Sequence, residues 1–284
     1  MGNMREGYVA IVQAVAEHGE KVSPRGQETR EFQSATIIVE DPFDTLPTGV
    51  GRGLVPGIAA VESAQLLAGE SRPRLTIAVG PVFENFTEDN GEFHGAYGAR
   101  TNGQFQEIEK RLKSDASSRQ AVVTIWNKDY DLLPSKRDYP CTVLYHFMIR
   151  NDKLIMETVM RSNDVILGLG YDAFQHSRVQ IAMASVLGVE PGEYRHHAMS
   201  LHLYERDLDK VQQLHMPNNT PKFFPAITGD SWAEVVNKAQ ECLNLAEEPQ
   251  ISASQLRDLD NGQSWYVTAM REAISKNKAR ATHE

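Results

Sequence analysis

Three runs of β-forming residues, followed closely by a long apolar helix, constrain this chain more than any other feature. Residues 121–126, 141–149 and 153–160 are rich in Val, Ile, Thr and aromatic side chains, the types that suit a pleated, half-buried surface. The last two runs flank Arg150-Asn151-Asp152, which reads as the turn of a hairpin. Residues 173–187 then carry apolar side chains at helical spacing up to Gly188, and residues 197–204 form a further strand. Strands that alternate with amphipathic helices call for a sheet with helices packed on it.

The rest of the chain fits that plan. Residues 8–19 read as an N-terminal helix stopped at Gly19, residues 22–30 as a loop with Pro24 and Gly26, and residues 31–39 as a strand. Helical periodicity returns at 54–69, with Glu62 in its middle. Residues 76–103 are rich in Gly, Asn and aromatics without a steady period and read as a binding loop, whereas 104–113 form a charged amphipathic helix. From Asp230 the tail looks helical, with Ser231 as N-cap and frayed final residues. The expected class is α/β (α+β): one mixed sheet covered by helices, with a helical C-terminal tail.

Composition narrows the function. The 284 residues include 29 Lys and Arg against 38 Asp and Glu, a net charge of −9, which argues against a nucleic-acid backbone as partner but permits a small phosphorylated ligand. No apolar run approaches the roughly 18 residues of a membrane span, and residues 1–6 lack a signal-like pattern. A cytoplasmic protein with no membrane partner is expected. Two cysteines, Cys141 and Cys242, cannot make a disulfide framework or a multi-cysteine zinc site, so no metal is expected. Each is either buried filler or a reactive thiol.

Cys141 follows Pro140 at the start of an apolar run, whereas Cys242 lies in an amphipathic helix. Arg161-Ser162-Asn163-Asp164 sets a guanidinium, a hydroxyl, an amide and a carboxylate in succession at the end of a strand. Such a cluster is either a surface turn with an ion pair or an anion site, because the guanidinium fork suits phosphate oxygens. Adjacent His196 and His197 must face opposite sides of a strand. Arg25 and Arg119 read singly as solvated charges, Lys128 after Trp126-Asn127 as either a solvated loop lysine or an unusual charge with a role, and Gly49-Val-Gly51-Arg-Gly53 does not follow a strand as a nucleotide-binding glycine motif requires.

The order of these pieces is informative. Pro140-Cys141-Thr-Val-Leu-Tyr-His-Phe, Met160-Arg161-Ser162-Asn163-Asp164-Val-Ile-Leu-Gly168-Leu-Gly-Tyr-Asp172, Leu187-Gly-Val-Glu-Pro-Gly192-Glu and His202-Leu-Tyr204 together resemble the thymidylate synthase superfamily. The resemblance is collinear over about residues 8–211, strong between 118 and 204 and weak in the tail. It implies a single thymidylate synthase-like domain over 1–284 with 212–284 as a divergent segment, a homodimer, a pyrimidine nucleoside monophosphate as substrate and 5,10-methylenetetrahydrofolate as cosubstrate.

By that resemblance Cys141 is the nucleophile that adds to C6 of the pyrimidine. A thiol near pKa ~8.5 is a few per cent ionised at neutral pH, so the nearby arginines are the expected activators. Glu62 falls at the general acid/base position, and Ile58 and Leu66 place it on the buried helix face. Arg161, Ser162 and Arg25 would hold the phosphate, with Arg119 reaching across the dimer; Gln120 stands where many relatives have a second arginine. His202 and Tyr204, at period two on one strand face, resemble the pair that holds the sugar 3′-hydroxyl, which both CMP and dCMP offer. Lys128, near an active-site loop by the same resemblance, is the charge that would bear on the choice of sugar unless it is a solvated loop lysine. Phe83, Phe86, Tyr97 and Asp164 fall at positions of the folate pocket and its water network, with phenylalanines where tryptophans are usual.

Departures from the synthases select a branch. Asp172 replaces an asparagine whose amide matches uracil N3–H and O4; a carboxyl suits cytosine, whose N3 accepts and whose N4 donates. The same Arg-Ser-Asn-Asp run is similar to that of phage deoxycytidylate hydroxymethylases. Thr142 stands where synthases carry histidine, and the polar end Arg280-Ala-Thr-His-Glu284 differs from the apolar terminus that closes over folate. A wetter pocket favours water over hydride as the final nucleophile. The expected enzyme is a cytidylate 5-hydroxymethylase, with a thymidylate synthase or deoxyuridylate hydroxymethylase, or a non-catalytic nucleotide-binding relative, as alternatives.

Overall fold

The computed structural model of the chain describes residues 1–132, 136–215 and 223–281. In chain order its elements are α1 (Met4–His18), β1 (Glu20–Val22), β2 (Thr29–Val39), α2 (Pro56–Ala68), α3 (Pro73–Val79), α4 (Tyr97–Thr101), α5 (Gln104–Ser114), β3 (Val122–Thr124), α6 (Lys128–Asp131), β4 (Thr142–Arg150), β5 (Lys153–Met160) and β6 (Asn163–Asp164). These are followed by α7 (Leu169–Leu187), β7 (Glu190–Tyr204), α8 (Leu208–Gln212), α9 (Trp232–Glu247), α10 (Ala253–Arg257) and α11 (Asn261–Ala281).

The strands form one mixed sheet in the order β1-β2-β7-β5-β4-β3, with β6 added beside β7. β4 and β5 are the expected hairpin, closed by Asn151 and Asp152 at φ 52° and 58°, the left-handed conformation of a tight two-residue turn. β5 and β7 are parallel, so the chain between them must cross over, and α7 is that crossover. β7 begins at Glu190 rather than at residue 197, and along it His196 is buried while His197 faces the other side.

Helices α2, α5, α7, α9 and α11 supply most of the main core, which closes over Tyr145, Phe147, Leu154 and Met156 of the sheet. A second core joins α1 to β2 and β7 through Tyr8, Val12, Ile37 and Leu203. Asn3 caps α1 by accepting from Glu6 N at 2.9 Å, and Ser231 caps α9 as expected. Cys242 is wholly buried in α9 as core filler. α11 crosses α2 so closely at Gly57 that a Cβ there would meet the Ala273 side chain and lie 2.7 Å from Ala269 O.

Residues 76–103 are more regular than expected. They hold the end of α3, a 3₁₀ turn at Pro81–Phe86 and α4. Prolines at the first positions of α3 and of the 3₁₀ turn, with Gly80 between, make pieces too short to show a helical period. The 121–126 run shortens to β3, and Cys141 immediately precedes β4. No helix among the described residues is long and apolar enough to cross a membrane.

Arg178, wholly buried in α7, ties this frame together. Its Nη1 donates to Phe224 O at 2.7 Å and its Nη2 to Pro42 O at 2.5 Å and Phe43 O at 3.2 Å, with its guanidinium 4.6 Å from the Phe174 ring. Arg178→Leu leaves these carbonyls without their donor and should cost about 3 kcal/mol or more in urea unfolding. A loss below about 1 kcal/mol would mean that the two loops are held by other contacts.

Candidate active site

Because β4 and β5 are antiparallel with Thr142 opposite Met160, the residue before one strand meets the residue after the other. Arg161 N donates to Cys141 O at 2.8 Å. The Arg161 guanidinium is fixed by Nε to Pro140 O at 3.0 Å and Nη2 to Tyr139 O at 3.3 Å, and lies over the Trp126 ring at 5.5 Å. That leaves Nη2 3.9 Å from Cys141 Sγ. Arg25 sits in an exposed turn at φ 56°, and its charge also favours the Cys141 thiolate. Both arginines act in the expected direction, yet burial wins, and with Asp172 and Asp138 it pushes the thiol up to about 11. Burial thus favours the thiol over the thiolate at Cys141.

Glu62 projects from α2 with Oε2 buried and without a hydrogen-bond partner. Burial, and then the charge of Asp172, push its carboxyl up to about 8. Asp172, in the first turn of α7, receives Asn163 Nδ2 on Oδ2 at 2.7 Å and Gln175 Nε2 on Oδ1 at 3.0 Å. These bonds favour the anion, but burial outweighs them and raises Asp172 to about 7. Two carboxyls poised near neutrality beside a cysteine can hold and move protons without a net charge in the pocket.

Tyr97 stands beside Cys141, where its hydroxyl accepts from Thr142 N at 3.3 Å. Phe83 and Phe86 form a separate aromatic surface with centroids 6.4 Å apart, joined by Phe93 at 6.5 Å from Phe83. Phe86 is 43% exposed, enough to offer a face to a ligand. Asp164 Oδ1 accepts from Ile166 N at 2.7 Å and Leu167 N at 2.8 Å, while its Oδ2 is buried and unpartnered, and burial raises its pKa. In register opposite Asp164 lies His202, whose ring meets Tyr204 edge-on at 5.3 Å. Ser162 is half-buried between β5 and β6.

Arg119 stands apart from this cluster. It is exposed after α5 and lines an open cavity of about 720 Å³ with Lys110, Arg111 and Gln120. Lys128 is a solvated side chain, 79% exposed and paired with Asp129. Among the described residues no group of three or more His, Cys, Asp or Glu could hold a metal ion.

Several polar residues of the site have no role in the motif reading, Asn163 among them although it lies inside the Arg161–Asp164 run. His176 is wholly buried, with Nε2 3.3 Å from Thr142 Oγ1 and Nδ1 2.9 Å from Tyr145 O–H. Asn163, Gln175 and His196 surround Asp172 directly or at one remove. Their signal was a set of polar residues on an otherwise apolar helix and strand face, which buries them only if they bond to one another.

The thymidylate synthase family model matches residues 6–241. The chain belongs to the thymidylate synthase family. It is 30% identical over 217 residues to the deoxyuridylate hydroxymethyltransferase of Bacillus phage SP01, covering 70% of this chain and 57% of that one. It is 33% identical over 189 residues to the enzyme of the same name from Pseudomonas phage M6, covering 64% and 54%. The chain thus spans little more than half the length of these relatives. A solved structure of thermostable thymidylate synthase A from Bacillus subtilis superposes with a TM-score of 0.65 at 22% identity, over 80% of this chain and 90% of that one, and shows the shared fold. Members of the family are folate-dependent one-carbon transferases.

The raised Glu62 carboxyl links stability to pH. The folded chain keeps a proton that the unfolded chain releases above about 4.5, so stability from this group is full below that pH and falls as pH rises to about 8. The slope is at most about 1.4 kcal/mol per pH unit. Relative to Glu62→Gln, the wild type should lose at least about 2 kcal/mol between pH 5 and pH 8 in urea unfolding. A pH-independent difference between the two proteins would mean that Glu62 titrates normally.

Proposed function

We propose that the chain is a cytidylate 5-hydroxymethyltransferase acting on CMP, dCMP or both, with 5,10-methylenetetrahydrofolate as cosubstrate. The observation that carries this reading is Asp172: a buried carboxyl with a pKa near neutrality, where an amide would suit uracil. In its protonated form it can donate to cytosine N3 and accept from N4.

Cys141 adds to C6 of the base after losing its proton, and the Arg161 guanidinium at 3.9 Å from Sγ steadies the thiolate. Arg161, Ser162 and Arg25 hold the phosphate, and His202 with Tyr204 holds the sugar 3′-hydroxyl. Glu62, neutral at rest and unpartnered at Oε2, passes protons at the base through water. The folate, when bound, supplies the one-carbon unit at the methylene level. Phe83 and Phe86 offer it a stacking face, and the unpartnered Oδ2 of Asp164 suits an N–H donor of its pterin ring, so the residues present fit the group. Water adds to the exocyclic methylene at C5 as Cys141 leaves. The names of the two phage relatives, both hydroxymethyltransferases, support this outcome over methylation; the tail residues 282–284 lie outside the described residues. A second reading, deoxyuridylate hydroxymethylation, is favoured by the names of the two phage relatives and differs only in the base.

The proposed working unit is a homodimer in which Arg119, remote from Cys141 in its own chain, completes the partner's phosphate site. Mixing Cys141→Ser with Arg119→Ala, each nearly inactive alone, should recover part of the activity through hybrid dimers. No recovery after verified subunit exchange would assign Arg119 to its own chain or to no role.

Asp172→Asn keeps the volume but exchanges the base edge. Turnover of CMP and dCMP should drop ten- to a hundredfold while that of UMP or dUMP rises, because a mismatched buried polar group costs roughly 1–3 kcal/mol. Mass analysis of a one-pot competition reads both changes and separates 5-hydroxymethyl from methyl products. A wild type that prefers uridylate, or a preference that Asp172→Asn leaves unmoved, would defeat the cytosine assignment.

A further inference from the structure

A free carboxyl is a poor discriminator between cytosine and uracil. Its two oxygens are equivalent, so a protonated carboxyl can put its O–H on either one and match N3 as acceptor or N3–H as donor with the proton exchanged. Selectivity requires that the surroundings make the oxygens different. Around Asp172 they do.

Asp172 Oδ2 receives Asn163 Nδ2 at 2.7 Å, and Asn163 Oδ1 in turn lies 2.9 Å from His196 Nε2. His196 Nδ1 lies 2.8 Å from Tyr194 O–H. All three partners of Asp172 in this chain are buried, His196 and Tyr194 completely. With the Asn163 amide turned so that its N–H meets the carboxyl, its carbonyl needs a donor, which makes His196 the Nε2–H tautomer. Nδ1 is then an acceptor, and Tyr194 donates to it. Every donor meets an acceptor along Tyr194→His196→Asn163→Asp172. The opposite polarity would set the Asn163 carbonyl against Asp172 and turn the Tyr194 proton away towards Thr158. Burial keeps His196 neutral, its pKa pushed down to about 3, so either tautomer is open to it and its neighbours decide. Gln175, the other amide on Asp172, has no such anchor: its Nε2 meets Oδ1 at 3.0 Å, and among the described residues no donor holds its own carbonyl.

We propose that Tyr194, His196 and Asn163 are positioning residues for base selection, which commit Asp172 Oδ2 to accepting and so confine the carboxyl proton to Oδ1. The carboxyl then presents one donor and one acceptor in a fixed order, matched by one base and mismatched by the other. This rests on Asp172 facing the base, as in the function proposed above, and it explains why a symmetric group can serve there. Tyr145 and His176 repeat the same hydroxyl-to-imidazole arrangement on the other flank, where His176 Nε2 lies 4.0 Å from Asp172 Oδ1.

Tyr194→Phe removes one oxygen, two residues removed along the chain of bonds from Asp172, and releases the polarity. The ratio of kcat/KM between the preferred and the rejected base should move about tenfold towards unity, chiefly through gain on the rejected base. His196→Phe should do the same, whereas His196→Gln, which retains an amide N–H for Asn163, should hold the wild-type ratio. A merely structural role would lower both bases together and leave the ratio unchanged. In the wild type, ¹⁵N chemical shifts of His196 should report the Nε2–H tautomer, a test that needs no variant to fold. The Nδ1–H tautomer, or a ratio within twofold of wild type in folded Tyr194→Phe and His196→Phe, would overturn the proposal. A wild type that prefers uridylate would instead defeat the cytosine assignment, with the tautomer and the collapse of the ratio still deciding the role of the relay.

Discussion

The parallel pairing of β5 with β7 is the constraint on which the rest depends. Parallel neighbours cannot be joined by a tight turn, so the chain leaves the end of β5, crosses through α7 and returns. The stretch that makes this departure carries Arg161, Ser162, Asn163, Asp164 and Asp172. Since β4 runs antiparallel to β5, its first residue lies at the same end of the sheet, and Cys141 is delivered to Arg161 by a backbone hydrogen bond of 2.8 Å. β7 returns with His196 and His202 in register with β5 and β6. One topological necessity therefore gathers Cys141, Arg161 and Asp172, the residues proposed as nucleophile, phosphate ligand and reader of the base.

The gathered groups share a low-polarity environment that resists charge. Burial is the leading cause of the upward shifts of Cys141, Glu62, Asp172 and Asp164, and it prevails over the favourable arginine at the thiol and over the two amide bonds at Asp172. A site of this kind rests neutral and develops charge only as substrate contacts form, which suits a mechanism built on proton transfers between weak acids. The same desolvation makes the orientation of every buried amide and imidazole count, because an N–H or C=O left unmatched there has no water to turn to.

Much of this was legible in the order of residues. Periodicity located α1, α2, α5, α9 and the β4–β5 hairpin, because each is long enough to repeat its apolar spacing, whether it buries one stripe, as α5 does, or nearly its whole surface, as α2 does. Motif resemblance singled out Cys141, Glu62, Arg161 and Asp172, and the structure brings these four together at one end of the sheet. Residues 76–103 failed because proline-opened helices of one or two turns carry too few residues to show a period. Tyr97, expected at the folate surface, meets Thr142 N with its hydroxyl beside Cys141, a contact between segments more than forty residues apart that no local pattern encodes.

What the sequence determined alone was most of the elements, the family and the titratable and thiol groups that meet in the site. Tertiary structure decided their ionisation, since the thiol and the carboxyls are shifted by how deeply neighbouring elements bury them, and no local pattern encodes depth. It also decided the company of Asp172. Asn163, His196 and Tyr194 come from two strands on either side of the crossover, and His196 reads from sequence only as one histidine of an adjacent pair. Hydrogen-bond polarity is a property of the closed set of partners, and that set exists only once the sheet has paired and α7 has packed across it.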